Sequence, residues 1–474
     1  MAHHFANEIP AHLSMWRRVR EYAVPPSMIE KATARRAVGD WAGACAAARI
    51  HVDLDLRAVR HRHGTHVFTR LRDDLRRLAP DLLRWHMPRI APDGRLRPGL
   101  TISLARYRSY GATPLHLVVR TPPARADGGQ RMSLALWEGP GNGVPGHHPH
   151  PHPERRFRLD LHRHLWDAGR SAELTARCGA GGAPPEDSSW AVGSWASEAE
   201  LLLRAEGLPR GAFTVRLGAR SRAVLELVAP DDSHVPTYRP LREGVLPSQE
   251  IAALPVLPEA AARVLPDLEL LRAGLVPAER LHPLVAAALA GFGSAPVGGP
   301  VPEPGDPHQV DCRGASHRIA LRDGVLTAVD HDPVQLRREE LLVALGGPAL
   351  PCLRAIDAVH RDPEALPAVR ERLRHGDISG ALAVVEGLLG PDAILRDGPL
   401  REELESAAAR RIDHGLFRSG LFALHPVAGR AEGEDASGAE RATADHRPRL
   451  VRRTPLPLRR KLSSRSRPRT SLAS

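Results

Sequence analysis

The sequence predicts an α+β protein, with helical N- and C-terminal regions around a β-containing middle region and a disordered basic C-terminal tail. Three observations carry this. Apolar residues recur at three- and four-residue spacing before about residue 92 and after about residue 333, much of the stretch between shows alternate spacing, and beyond about residue 422 Gly, Ser, Ala, Pro and Arg dominate with too little apolar content to fold. With 474 residues, 42% of them hydrophobic, the chain has material for about three domains.

Residues 1–14 are expected to be flexible and residues 15–92 helical. Phe68, Leu71, Leu75, Leu78 and Leu82 share one helical face, and Pro80 stands where a second helix begins, a position that tolerates its missing N–H. At Pro92-Asp93-Gly94 the period changes, opening an α+β region over 93–250. Its strands are read from the alternation of Leu100, Ile102 and Leu104, the apolar run Leu115–Val119, and the alternation of Met132, Leu134 and Leu136. A His/Pro-rich loop spans 139–153. Phe157, Leu159 and Leu161 predict another strand, helix follows near Leu165 and at Ala199–Arg204, and Phe213–Leu217 with Ala223–Val228 form a hairpin. Over 251–292 prolines at 258, 266, 277 and 283 cut the helical pattern into short helices. Residues 293–307 form a linker, and 308–332 a β-hairpin about Asp323-Gly324, a pair suited to a type I′ turn. Asp332-Pro333-Val334-Gln335 opens a helical region over 333–422, with Gly346 closing its first helix, and 423–474 is the disordered Arg-rich tail.

One turn design occurs twice, as Gly39-Asp40-Trp41-Ala42-Gly43 and as Gly376-Asp377-Ile378-Ser379-Gly380. Gly39 and Gly376 suit the positive φ of a helix end, and Asp40 and Asp377 suit the cap of the next helix. Gly43 and Gly380 are expected to let two antiparallel helices approach closely. The pattern resembles the turn and second-helix start of tetratricopeptide-type repeats, which implies a helical hairpin used for packing and often for protein recognition. The copies lie far apart instead of recurring at the roughly 34-residue period of an array, so isolated hairpins are expected. The chain as a whole resembles proteins of high-GC bacteria, a resemblance that implies no function.

Of the 66 Lys+Arg residues only Lys31 and Lys461 are lysine. The net charge is +11, and the tail after Asp445 carries ten basic residues without an acid. The nearly neutral remainder excludes a body with a strong field for nucleic acid, and assigns polyanion contact to Arg452, Arg453, Arg459, Arg460 and Lys461 of the tail. The four cysteines form no C-x-x-C pair, so neither a disulfide framework nor a zinc knuckle is expected. No run of about eighteen apolar residues occurs and the N-terminus lacks a signal pattern, so no membrane association and a cytoplasmic location are expected.

Motifs of catalysis are sparse. Gly141-x-Gly143-x-x-Gly146 matches a dinucleotide fingerprint in letters, but the His-Pro alternation of residues 147–153 cannot open the helix that such a site needs. No Gly-Lys-Ser/Thr, G-x-S-x-G or H-E-x-x-H occurs. Asp160-x-His162-x-His164 would place a carboxylate and two imidazoles on one face of a strand, a ligand set suited to Zn or Fe. The expectation is a non-catalytic cytoplasmic adaptor or regulatory protein, without cofactor, presenting helical surfaces to a protein partner of unknown identity. The alternatives are a metal-dependent hydrolase using Asp160, His162 and His164, and weak nonspecific nucleic-acid association through the tail.

Overall fold

The computed structural model of the chain describes residues 9–107, 114–139, 152–178, 189–219, 221–228, 234–242, 245–291, 309–312, 315–322, 325–328, 330–345, 350–353, 365–389 and 398–420. Helices stand at both ends and sheets in the middle, the α+β arrangement read from the sequence. The N-terminal region holds α1 (Ala11–Tyr22), α2 (Pro26–Ala37), α3 (Trp41–Ala47), a short strand β1 (Ile50–Asp53), α4 (Leu56–Arg77) and α5 (Pro80–His86). Helix α1 thus begins inside the stretch expected to be flexible. Pro26 and Pro80 each start a helix, where a missing N–H costs nothing. The apolar face of α4 and α5 is buried as its spacing requires, with Leu71, Leu75, Leu78 and Leu82 all inside.

A small hairpin, β2 (Arg89–Ile90) and β3 (Arg95–Leu96), leads into β4 (Thr101–Arg106), β5 (His116–Arg120) and β6 (Met132–Trp137). The main sheet has the order β1-β6-β5-β4, with β1 parallel to β6 and the other pairs antiparallel. Leu117, Val118 and Val119 of β5 are all buried, so this strand is covered on both faces, which explains its continuous apolar run. The sequence places helix throughout 15–92 and misses β1, because four residues directly after a helix are too few to show a period.

The strand expected at Phe157–Leu161 does not form. Glu154 N–H donates to Thr101 O and Leu159 N–H to Ser103 O, so the segment runs along the edge of β4 with isolated bonds and no ladder. After α6 (Leu174–Arg177), α7 (Trp195–Ala205) packs on a three-stranded sheet of β7 (Ala212–Arg216), β8 (Arg222–Val228) and β9 (Thr237–Pro240). The short helices α8 (Ser248–Ala253), α9 (Glu259–Ala262), α10 (Pro266–Arg272) and α11 (Pro283–Leu289) follow, divided by the prolines as expected. Next come β10 (Gln309–Cys312), β11 (Ala315–Arg322) and β12 (Val325–Ala328); Arg322 pairs with Val325 across a two-residue connection that lies outside the described residues. The C-terminal helices are α12 (Pro333–Ala344), α13 (Ala365–Arg374), α14 (Ile378–Leu389) and α15 (Pro399–Arg418). Asp332 caps α12 by accepting from Val334 N–H at 3.2 Å. The 293–307 linker, Gly346, the Gly141–Gly146 stretch and the tail lie outside the described residues.

One large core joins α1–α5, the main sheet, α10 and α11. A buried ion pair crosses it. Arg20 of α1 donates to Asp267 of α10 at 2.7 Å and to Trp85 O at 2.7 Å, while Trp85 Nε1–H donates to the other oxygen of Asp267 at 2.9 Å. Removing the carboxylate strands a buried guanidinium, so Asp267→Ala should lower the unfolding free energy by about 3–5 kcal/mol, and Asp267→Asn, which keeps an acceptor for Trp85, by less. Urea denaturation reads both. A loss for Asp267→Ala no larger than the roughly 1 kcal/mol of an exposed pair would show that the triad does not hold α1 to α10.

Candidate anion-binding site

The two Gly-Asp turns have the same bonds. Gly39 (φ 76°) and Gly376 (φ 83°) take the left-handed conformation. Gly39 N–H donates to Arg36 O and Asp40 N–H to Arg35 O, and Gly376 N–H to Leu373 O and Asp377 N–H to Arg372 O, the double closure of a glycine-ended helix. Asp40 accepts from Gly43 N–H at 2.8 Å, and Asp377 from Gly380 N–H at 3.3 Å. An arginine five residues earlier completes each turn, Arg35 donating to Asp40 at 3.0 Å and Arg372 to Asp377 at 3.1 Å. That Arg-x4-Asp-x2-Gly spacing is present in the sequence in both places and is the signal the turn motif alone leaves out. A β-carbon on Gly43 or Gly380 would first meet the capping carboxylate of its own turn, so these glycines make room for Asp40 and Asp377 and not for a facing helix.

The second turn is docked on the body of the protein. A β-carbon on Gly376 would collide with the backbone of Gly129. Arg49, which follows α3 with φ 61°, donates to His375 O at 2.9 Å and to Asp377 Oδ1 at 3.2 Å. Beneath it the wholly buried Arg84 donates to Ala23 O at 3.1 Å, Gln130 O at 2.6 Å and His375 O at 3.4 Å. Burial, with the charges of Arg49, Arg89 and Arg131, holds the Arg84 guanidinium well below its ordinary pKa. Burial also lowers Arg89, to about 9, with Arg20 adding to the effect.

Between the turn and the body lies a cavity of about 170 Å³, lined by Arg49, Arg131, Arg411, Ser379, Gly129 and Gly376 among others. Arg131 precedes β6 and Arg411 lies on α15. Burial lowers the pKa of Arg131 and the neighbouring Arg411 lowers it further. Among the described residues no carboxylate pairs with either Arg131 or Arg411, and Asp377 is the acid at this seat, already engaged by Arg49 and Arg372. Converging guanidinium groups in excess of carboxylates suit an oxyanion, which accepts paired N–H bonds from each. The volume is below the roughly 300 Å³ at which drug-sized pockets begin, so the fitting ligand is a single phosphate-sized group.

The residues of the expected metal set do not converge. Asp160 is held by Arg158 at 2.6 and 2.8 Å and by Arg106 at 3.1 Å. His162 Nε2 lies 3.2 Å from Glu198 Oε2, and Glu198 is itself clasped by Arg177 at 2.6 and 2.8 Å. Burial pushes the Glu198 carboxyl up, but the bonds from His162 and Arg177 outweigh it and hold the group at about 2. The ring of His164 meets that of His162 edge-on with centroids 5.8 Å apart. The segment turns through a 3-10 helix at Arg163–Leu165, so the strand face that would align the three does not exist. Arg452, Arg453, Arg459, Arg460 and Lys461 lie outside the described residues.

A second cavity, of about 420 Å³, lies against β4, β5 and the α8–α9 connection and is lined by Ser103, Arg106, His116, Trp137, Arg158 and Glu206 among others. Ser103 Oγ lies 3.0 Å from His116 Nδ1. Burial, then Arg106, lowers the His116 imidazole to about 4, too weak a base to activate the hydroxyl near neutral pH, and Asp160 and Glu206 are taken up by Arg106 and Arg158. Burial, then His162 and Arg177, lowers His164 to about 2. Both imidazoles stay neutral in the fold, whereas the unfolded chain protonates each near 6.5. The unfolded state therefore binds more protons below that pH, and stability should fall on acidification by up to about 1.4 kcal/mol per pH unit for each histidine. For His116 the fall runs from about 6.5 to about 4. Urea unfolding across this window should give a flatter profile for His116→Gln than for the wild type, and parallel profiles would remove His116 from the acid response.

Compared with protein-family models, curated proteins and solved structures, the chain matches none.

Proposed function

We propose that the chain is a non-catalytic cytoplasmic adaptor or regulatory protein that seats a phosphate-sized anion between its body and its C-terminal helices, and so fixes the position from which those helices meet a protein partner. The observation that carries this reading is the convergence of Arg49, Arg131 and Arg411 on one small cavity with Asp377 as the acid beside them. The three arginines come from different regions, so an anion shared among them would tie α15 and the α13–α14 turn to the lead-in of β6. Ile412 and Leu416 are exposed on the same helix as Arg411, at 65% and 39%, and supply apolar contact for a partner. The likeness of the α13–α14 turn to tetratricopeptide-type hairpins favours a protein as that partner. Four buried cysteines that form no disulfide suit a reducing compartment. Among the described residues no helix is long and apolar enough to cross a membrane, and no membrane contact enters the proposal. The basic tail adds a weak, salt-sensitive affinity for nucleic acid.

The test is a titration of the full chain with inorganic phosphate at constant ionic strength, followed by calorimetry and by thermal melting. Phosphate should bind saturably and raise the melting temperature, by the equivalent of about 2.7 kcal/mol at a hundred times its Kd. Arg131→Ala and Arg411→Ala should each weaken binding about tenfold or more, since each removes charge-assisted bonds from an otherwise intact seat. Unchanged melting in phosphate, or full affinity in both variants, would sink the proposal.

A further inference from the structure

The four cysteines are scattered in sequence, yet two of them meet. Cys312 ends β10, Cys352 lies in the short helical turn at 351–353, and His331 follows β12. Their ligand atoms, two Sγ and an imidazole nitrogen, all lie within 4.8 Å of one another. Cys312 and Cys352 are 2% and 0% exposed, and both are free thiols. The ring of His317 on β11 stacks on that of His331 with centroids 4.1 Å apart and planes within 9°. Among the described residues this is the one group of three or more such side chains gathered closely enough for an ion.

We propose that Cys312, His331 and Cys352 form a binding site for a divalent zinc-type cation, independent of the anion seat. Two thiolates and an imidazole are the donor set that selects a borderline-soft ion with tetrahedral preference over Mg²⁺ or Ca²⁺, which take oxygen ligands. His317 is not one of the three gathered ligands; its ring packs face to face on His331 and steadies the imidazole. On binding, the two thiols lose their protons to the buffer and the ion takes the place of both.

The surrounding structure supports a cross-link at this place. The buried apolar cluster here consists of Cys312, Ala328, Leu336, Leu350 and Cys352, so the two cysteines make up much of it. A three-stranded sheet with one helix on so small a core belongs to the units that a structural metal stabilises. The site would join β10, the end of β12 and the 351–353 turn, of which the first two are separated in sequence by β11 and β12 and the last two by α12.

The full chain, produced with zinc and dialysed under reducing, metal-free conditions, should retain one equivalent of zinc. Replacement by cobalt should give the near-ultraviolet thiolate-to-cobalt charge-transfer absorption and the intense visible bands of tetrahedral coordination. Both should survive in a variant with His147, His148, His150 and His152 changed to alanine, which removes the adventitious His-Pro run, and in Cys45→Ala with Cys178→Ala. Both should be lost in Cys312→Ser with Cys352→Ser. Because the cobalt spectrum is read on the unaltered protein, misfolding of that last variant does not decide the matter. A cobalt complex without thiolate absorption overturns the proposal, as does zinc content unchanged in the Cys312/Cys352 variant, or a Cys312–Cys352 disulfide in protein alkylated during reducing lysis.

Discussion

At the centre of the contacts that position the C-terminal helices is one wholly buried side chain, Arg84. Arg84 carries its charge into the centre of the protein and meets only carbonyl oxygens there, those of Ala23, Gln130 and His375. Each belongs to a different part of the chain: the α1–α2 connection, the approach to β6, and the α13–α14 turn. A buried guanidinium lacking a carboxylate is costly, and the cost rises steeply if any acceptor is withdrawn. The three segments are therefore not free to separate independently, because moving any one of them exposes an unmet donor. Arg20 solves the same problem differently, by pairing with Asp267, and its contacts run between α1, α5 and α10 instead of toward the C-terminus.

That arrangement also creates the positive field above it. Beyond the effect of burial, Arg49 and Arg131 lower the proton affinity of Arg84, Arg131 lowers that of Arg49 and Arg411 that of Arg131, while Asp377 offsets only part of this at Arg84 and Arg49. Gathering guanidinium groups around one cavity costs stability through their mutual repulsion. An anion in that space would change the sign of the local balance, since every arginine at the seat would then gain an opposite charge while the bonds to carbonyls remained in place. Electrostatic cost in the fold and affinity for a ligand are here two readings of one distribution of charge.

The alternation and spacing of apolar residues made most elements legible in the sequence, because burial on one face leaves a period that any long element shows. Leu71 and Leu75 announce α4, and Met132 and Leu134 announce β6. Four-residue β1 carries no period, and the Phe157–Leu161 alternation follows a strand edge that it never joins. The seats for ligands were hidden for another reason. Arg49, Arg131 and Arg411 come together through tertiary packing, and in a chain whose basic residues are almost all arginine no local pattern distinguishes them. Cys312, His331 and Cys352 lack the short spacing of a zinc knuckle because β11, β12 and α12 intervene. Asp160, His162 and His164 do have a local pattern, but the turn at Arg163 removes their shared face, Arg158 and Arg106 take up Asp160, and His162 lies against Glu198.

The repeated turn shows how one local design acquires different roles from its surroundings. Both copies close a helix on glycine, cap the next with aspartate, and clamp that aspartate with an arginine five residues upstream. At the first copy the Asp40 side chain is 37% exposed and its bonds stay within the turn. At the second, Asp377 is 5% exposed because Arg49, forced into the left-handed region at the end of α3, reaches across to it. The element that approaches is itself the continuation of the first hairpin, since α3 follows Asp40 directly and Arg49 lies two residues past its end. The first copy thus delivers the arginine that recruits the second, and the cavity opens where the two meet. A backbone strain at Arg49 that local sequence does not explain is accounted for by this contact, which offsets it with two hydrogen bonds and an ion pair's worth of charge.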